Sequence, residues 1–164
     1  MDKAVVSRFF TIPVHELFGY FMDPVLIEKW SAPEGMTLKV KSFDGNEGGK
    51  YRYEHTSKDG VFVCNGHFRR IDLNQKLLLV DDEIIAPDGK LLAEKLETEI
   101  LFTSLGTGSG VEIKVSGFNN REFANDCEKS WNQCLDNLQD IVKDSGIRQF
   151  RDESSGLTGK QNQQ

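Results

Sequence analysis

The feature that most constrains the fold is an alternation of apolar and polar residues that begins at Met36 and recurs in successive segments up to Val115. A period of two places neighbouring side chains on opposite faces of a β-strand. Turn sequences separate the segments, among them DGNEGG, SKDG and APDGK, and GTGSG predicts a flexible connection. Strands joined by hairpins pair antiparallel. This region therefore predicts a meander of about six antiparallel strands with one apolar face.

Helices on both sides of this region can cover the apolar face, as a half-apolar sheet requires. A strand-like segment, KAVVSRFFTI, comes first and ends at Pro13, which suits the first turn of a helix. Helical spacing then gives one apolar face, formed by Val14, Leu17, Phe18 and Phe21. Asp23 and Pro24 predict the N-cap and first position of a second short helix.

The longest predicted helix spans about 121–143 and carries one apolar stripe that includes Trp131 and Leu135, with Asn119 or Asn120 as its N-cap. No internal repeat or linker divides the chain, so residues 1–143 are predicted to form one domain, and the polar residues 144–164 a disordered tail. The predicted class is α+β: a curved antiparallel sheet wrapped around the long C-terminal helix, with two short helices after strand 1.

Charge and composition exclude several classes of partner. The formal net charge is -6, whereas nucleic-acid binding needs clustered Lys and Arg, and anionic membrane surfaces repel acidic proteins. The sequence has no signal-peptide pattern and no apolar stretch long enough to span a membrane. The three cysteines form no CxxC pair and are expected to be reduced thiols. We therefore expect a cytoplasmic protein that binds neither nucleic acid nor membrane.

Motifs that would indicate catalysis are absent from the sequence. It has no GxSxG elbow, no GxGxxG or phosphate-binding loop, and no HExxH-type metal spacing. We accordingly predict no catalytic residue, no metal and no cofactor. Of the three histidines, His55 shares an inward strand face with Tyr51 and Tyr53, whereas His15 is expected to be solvated and the face of His67 depends on strand register.

Acidic and thiol side chains are further candidates for chemistry. Alternation sends most carboxylates of 81–83 and 94–99 to solvent, which leaves little prospect of two carboxylates converging on one cavity. Cys64 can face inward, and Cys127 and Cys134 lie on the apolar helix face, where we expect inert packing thiols.

The motifs LFGYFMDPVLIEKW, GGKYRY and NGHFRRID, followed by a C-terminal helix with Trp131, resemble the START-like superfamily, also called SRPBCC, which has the helix-grip fold. Within it, the chain is similar to the family named after the C-terminal domain of the activator of the heat-shock protein 90 ATPase. The resemblance covers about residues 3–142. Matching residues are Phe18, Asp23, Pro24, Trp30, Pro33, Gly48, Gly49, Tyr51, Gly66 and Trp131. Many members have two adjacent Trp where this chain has Trp30 and Ser31.

The resemblance implies an open cavity inside the sheet, which we expect to bind a small apolar or amphipathic molecule without catalysis. The expected polar contacts are Tyr51, Tyr53 and His55, and the expected walls are Phe18, Phe21, Trp30, Phe102, Trp131 and Leu135. Two alternatives stay open: a chaperone-interacting activator, as the family name suggests, or an enzyme of the cyclase or hydrolase kind that uses the same cavity with His55 and a Tyr.

Overall fold

A computed structural model describes residues 2–162 of the chain, with side chains described for residues 2–143. The order of elements is one strand, two short helices, six strands and one long helix, as the sequence predicts. Their bounds are β1 (Lys3–Phe10), α1 (Val14–Met22), α2 (Pro24–Trp30), β2 (Thr37–Phe43), β3 (Lys50–Ser57), β4 (Gly60–Asp72), β5 (Lys76–Ile85), β6 (Leu91–Leu105), β7 (Gly108–Ser116) and α3 (Arg121–Asn162).

The seven strands form one sheet in the order β1-β7-β6-β5-β4-β3-β2, and every neighbouring pair is antiparallel. Strands β2 to β7 follow chain order because each is joined to the next by a short connection. Strand β1 pairs with β7, so the α1–α2 segment connects the two edge strands, β1 and β2, of the sheet. The predicted α+β architecture is confirmed.

Helix α3 packs its apolar stripe against the concave face of the sheet. Leu135 and Leu138 are fully buried there, in the same core cluster as Ile113 of β7 and Leu17 of α1. Asn120 caps the helix, since its side-chain oxygen accepts a hydrogen bond from the backbone N–H of Phe123 at 2.8 Å. The sheet therefore wraps around α3, while α1 and α2 close one end.

Asp23 caps α2 as predicted, because its carboxylate accepts from the backbone N–H of Val25 at 2.9 Å. The expected flexible connection at GTGSG is instead largely strand, since Ser109 and Gly110 pair with Phe10 and Phe9 of β1. Leu105 pairs with Gly108, so a turn of two residues, 106 and 107, connects β6 to β7.

Helix α3 continues to Asn162, whereas the apolar stripe predicts an end near Lys143. The disorder expected for 144–164 stays a prediction, and Gln163 and Gln164 lie outside the described residues. Within the described part of the chain, none of the helices combines the length and the apolar character needed to cross a membrane.

Candidate functional site

A cavity of about 260 Å³ lies between the concave face of the sheet, the loop after α2 and the first turns of α3. Strands β3 to β6 form its floor, and α3 forms its roof. Most of its lining is apolar or aromatic, with a small set of polar groups. The lining residues are Phe21, Ile27, Trp30, Ser31, Pro33, Tyr51, Tyr53, His55, Phe62, Val63, Cys64, Leu77, Leu79, Asp81, Ile84, Thr98, Ile100, Cys127, Ser130, Trp131 and Cys134.

Six of the nine residues expected to bind the ligand line this cavity: Phe21, Trp30, Tyr51, Tyr53, His55 and Trp131. The other three, Phe18, Phe102 and Leu135, lie in the core cluster, outside the lining. Phe102 makes edge-to-face contacts with both Phe18 and Phe21, and the centroid of each of these rings lies 5.1 Å from that of Phe102. These three support the wall from behind. The role of all nine in ligand binding stays a prediction.

The Tyr51 side chain reaches across β4 to a half-buried carboxylate. Its hydroxyl donates to Oδ1 of Asp81 at 2.6 Å, although β4 lies between the two strands that carry them. Tyr51 and Asp81 both pair with Gly66, and a Cβ at Gly66 would lie 2.4 Å from the Tyr51 hydroxyl. The phenol therefore passes over Gly66, where β4 has no side chain.

Asp81 is the functional candidate that the sequence analysis missed. Most carboxylates of 81–83 and 94–99 are expected to face solvent, whereas Asp81 lines the cavity. Leu77 and Leu79 line the cavity, and Asp81 continues their alternation, a signal that was present in the sequence. A β-bulge then leaves Asp82 without a partner on β4, so that Ile84 rather than Glu83 faces the cavity next.

Burial governs the ionisation of this polar group. Desolvation raises the pKa of Asp81, while hydrogen bonds from Tyr51 and Cys64 act in the opposite direction. The pKa values of Tyr51, Tyr53 and Cys64 are raised, chiefly by desolvation and secondly by the nearby Asp81 carboxylate. The two tyrosines are also stacked, with ring centroids 4.7 Å apart. At neutral pH the phenols and the thiol are therefore hydrogen-bond donors.

The loop after α2 closes one side of the cavity and is held from two directions. Nε2 of His55 donates to the carbonyl oxygen of Ser31 at 3.0 Å, since a carbonyl can only accept. From α3, the Asn137 side chain donates to the carbonyls of Trp30 and Ala32 at 3.3 and 3.0 Å. In neutral His55 this hydrogen bond places the proton on Nε2 and leaves Nδ1 as an acceptor.

We expect His55 to make folding stability pH-dependent. Desolvation lowers its pKa from 6.5, and the Ser31 hydrogen bond and the Asp81 charge only partly oppose this shift. The unfolded chain then binds a proton that the folded chain does not, so stability falls as pH drops below about 6.5, by up to about 1.4 kcal/mol per pH unit. Urea unfolding at several pH values measures this slope.

The matched variant is His55→Gln, whose amide can still donate to Ser31 but does not titrate. It should lose less stability than the wild type on acidification. Asp81 contributes in the opposite sense, because its raised pKa favours the folded state as pH falls, but both proteins retain it. Equal pH slopes for the two proteins would contradict a half-buried His55 that stays neutral in the folded state.

Among the described side chains, no group of three or more His, Cys, Asp or Glu is arranged to hold a metal ion. The three cysteines are free and all line the cavity. Burial raises the pKa of Cys127 and of Cys134 to about 12, so both remain protonated and poorly nucleophilic. The Cys127 and Cys134 thiols therefore act as small apolar surfaces of the wall.

Comparison with known proteins gives one family match. The family model described as Activator of Hsp90 ATPase homolog 1-like protein matches residues 11–143, which contain every residue that lines the cavity. No curated protein matches the chain.

Several solved structures share the architecture. A protein of Chromobacterium violaceum has a TM-score of 0.75 at 22% identity, over 87% of this chain and 98% of its own. The AHSA1 protein of Silicibacter pomeroyi has a TM-score of 0.74 at 16% identity, over 86% of this chain and 97% of its own. A Cytophaga hutchinsonii protein has a TM-score of 0.66 at 18% identity. At these identities the likeness shows a common fold.

Proposed function

The chain belongs to the family of Activator of Hsp90 ATPase homolog 1-like proteins, as its sequence resemblance predicts, and on this premise we propose that it binds a small apolar or amphipathic molecule in its cavity, without catalysis. The observation that carries the proposal is the cavity of about 260 Å³, walled by aromatic and aliphatic side chains. A water molecule occupies about 30 Å³ in the liquid, so this space is large enough for a ligand with on the order of ten non-hydrogen atoms.

The chemistry of the wall supports a ligand with a large apolar part. Trp30 and Trp131 lie on one side, with ring centroids 6.4 Å apart, and Ile100 and Leu77 lie on the floor. Burying apolar surface of a ligand against such walls contributes about 25 cal/mol per Å². The few polar groups, with Tyr53 and His55 among them, orient an amphipathic molecule, as is usual in small-molecule sites.

A variant that fills the cavity tests the proposal. Cys127 lines the cavity from α3, so Cys127→Phe should place a ring in the space the ligand needs. We expect octanol, added as a probe, to bind the wild type and to lose at least about tenfold in affinity in Cys127→Phe, with thermal stability maintained or raised because filled cavities pack better. Isothermal titration calorimetry and thermal unfolding measure the two effects.

The control is Asp126→Phe, which adds the same ring at an exposed position of the same helix and should leave octanol binding unchanged. Native mass spectrometry of the freshly purified wild type gives a second readout: an added mass that disappears on denaturation identifies an occupant. Octanol binding that is equal in Cys127→Phe and the wild type would place the binding site outside the cavity.

A second candidate, an enzyme of the cyclase or hydrolase kind, is favoured by one observation. Asp81, which accepts a hydrogen bond from Tyr51, supplies a half-buried acid–base group in addition to His55. If this candidate holds, a co-purified molecule recovered after incubation with fresh enzyme should be chemically changed, and Asp81→Asn should prevent the change. Recovery of the unchanged molecule supports binding alone.

The family description also names an activator of the Hsp90 ATPase, so a chaperone partner is the remaining alternative. Its test is the ATPase rate of Hsp90 with and without an excess of this protein. A stimulated rate that survives in Cys127→Phe would assign the chaperone contact to a surface other than the cavity.

A further inference from the structure

We propose that the cavity selects a ligand that carries a cationic nitrogen, such as a protonated amine, and that the Asp81 carboxylate is its counterion. This inference rests on the proposed function, since it requires a ligand in the cavity. It makes that function more specific, because it assigns a positive charge to the polar end of the ligand and positions that end at Asp81. Nothing in the family description concerns this residue.

The charges around the cavity are all of one sign. Among the described residues that line it, Asp81 is the single acidic side chain, and none is Lys or Arg. Asp81 also takes part in none of the salt bridges between described side chains, whereas the neighbouring Asp82 pairs with His67 at the outer surface. Asp81 is half-buried, and a carboxylate that has lost part of its hydration is costly when no opposite charge replaces the lost water.

The hydrogen bonds of Asp81 favour the ionised form but leave the charge uncompensated. The 2.6 Å contact from the Tyr51 hydroxyl lies in the range of an O–H donor on a carboxylate. The Cys64 thiol adds a second, weaker donor. Both donors are neutral, so neither compensates the charge of the ionised carboxylate. A ligand ammonium would supply the missing positive charge directly in the cavity that Asp81 faces.

Aromatic rings next to the carboxylate add to the selection of a cation. Tyr51 and Tyr53 form a stacked pair beside Asp81, and Trp131 lies on the opposite wall. The faces of such rings attract a cationic nitrogen. The acidic protein as a whole, with net charge -6, also attracts cations and repels anionic ligands. The apolar walls then bind the remainder of the molecule.

Three probes with the same alkyl chain separate charge from apolar burial: octylamine, octanol and octanoate. At about pH 8 the amine is cationic and octanoate is anionic. In calorimetric titrations of the wild type, we expect octylamine to bind at least about tenfold more tightly than octanol, and octanoate to bind most weakly. The ligand series on the unchanged protein decides the question without any variant.

Asp81→Asn then assigns the preference to one residue, because the amide has nearly the same shape and still accepts from Tyr51. We expect octylamine affinity to fall to about that of octanol, while octanol affinity is unchanged. The control is Asp82→Asn, which removes an equal charge from the adjacent, exposed position and should keep the preference for the amine.

Two results would overturn the inference: octanol that binds as tightly as octylamine in the wild type, or a preference for octylamine that persists in Asp81→Asn. In both results the proposed function stands, because octanol or octylamine still enters the cavity. If neither octylamine nor octanol binds, the inference and the proposed function fail together.

Discussion

Gly66→Ala should destabilise the protein by about 3–4 kcal/mol, a large part of the total stability of a domain this size. A Cβ at this position would lie 2.4 Å from the Tyr51 hydroxyl and 2.4 Å from the backbone oxygen of Val80. Tyr51 cannot move aside, because its ring is 2% exposed and packs between Tyr53 and Phe68. The substitution therefore breaks the hydrogen bond to Asp81 and leaves a half-buried carboxylate without its main donor.

Urea unfolding measures the effect on stability, and octylamine titration measures the expected parallel loss of binding. Gly19→Ala is the matched control. Gly19 lies within α1, and a Cβ there meets nothing within 4 Å, so this change should stabilise the protein by up to about 1 kcal/mol through helix propensity. A Gly66→Ala protein as stable as the wild type would show that Tyr51 does not cross β4 at this position.

Trp30→Ala should have a comparable effect, with a loss of about 3–5 kcal/mol in the free energy of unfolding. The Trp30 side chain is 2% exposed and packs against Phe21 with ring centroids 4.7 Å apart and the ring planes inclined at 56°. Its indole N–H donates to the carbonyl of Tyr20 at 2.9 Å, which ties α2 to α1. Removing the ring opens a void at the end of the sheet and takes away part of the cavity wall.

Val25→Ala, in the same helix, is the control, because Val25 is 64% exposed and its truncation should change stability by less than about 0.5 kcal/mol. Trp30→Phe separates packing from hydrogen bonding: it keeps an aromatic ring against Phe21 but loses the donor to Tyr20. We expect its urea midpoint to lie between those of the wild type and Trp30→Ala. A Trp30→Ala midpoint within error of the Val25→Ala midpoint would be incompatible with the packing described.

The sequence alone determined the architecture, because the period of each segment depends only on local geometry. Alternation at two residues predicts strands, and the apolar stripe of α3 predicts a helix on the concave face of the sheet. Pro13 and Asp23 determined where the two short helices begin. The sequence also predicted that Tyr51, Tyr53 and His55 share one strand face, and all three line the cavity.

Only the tertiary structure decided which buried side chains face the cavity and which fill the core. Phe18, Phe102 and Trp30 are all aromatic and buried. Phe18 and Phe102 nevertheless pack on one another instead of lining the cavity, because the fold brings α1 against β6 at this point. Burial pattern cannot distinguish a wall from the layer behind it, since both are removed from outer solvent.

The tertiary structure likewise decided the role of Asp81. Its place on the inward face could be read from the alternation after Leu77, but its contact with Tyr51 could not, since the two residues are 30 positions apart and meet across Gly66 on a third strand. Strand register and one β-bulge create that contact, and both depend on pairing between distant segments. Local sequence therefore determined the elements, and long-range pairing created the contact between Tyr51 and Asp81 in the cavity.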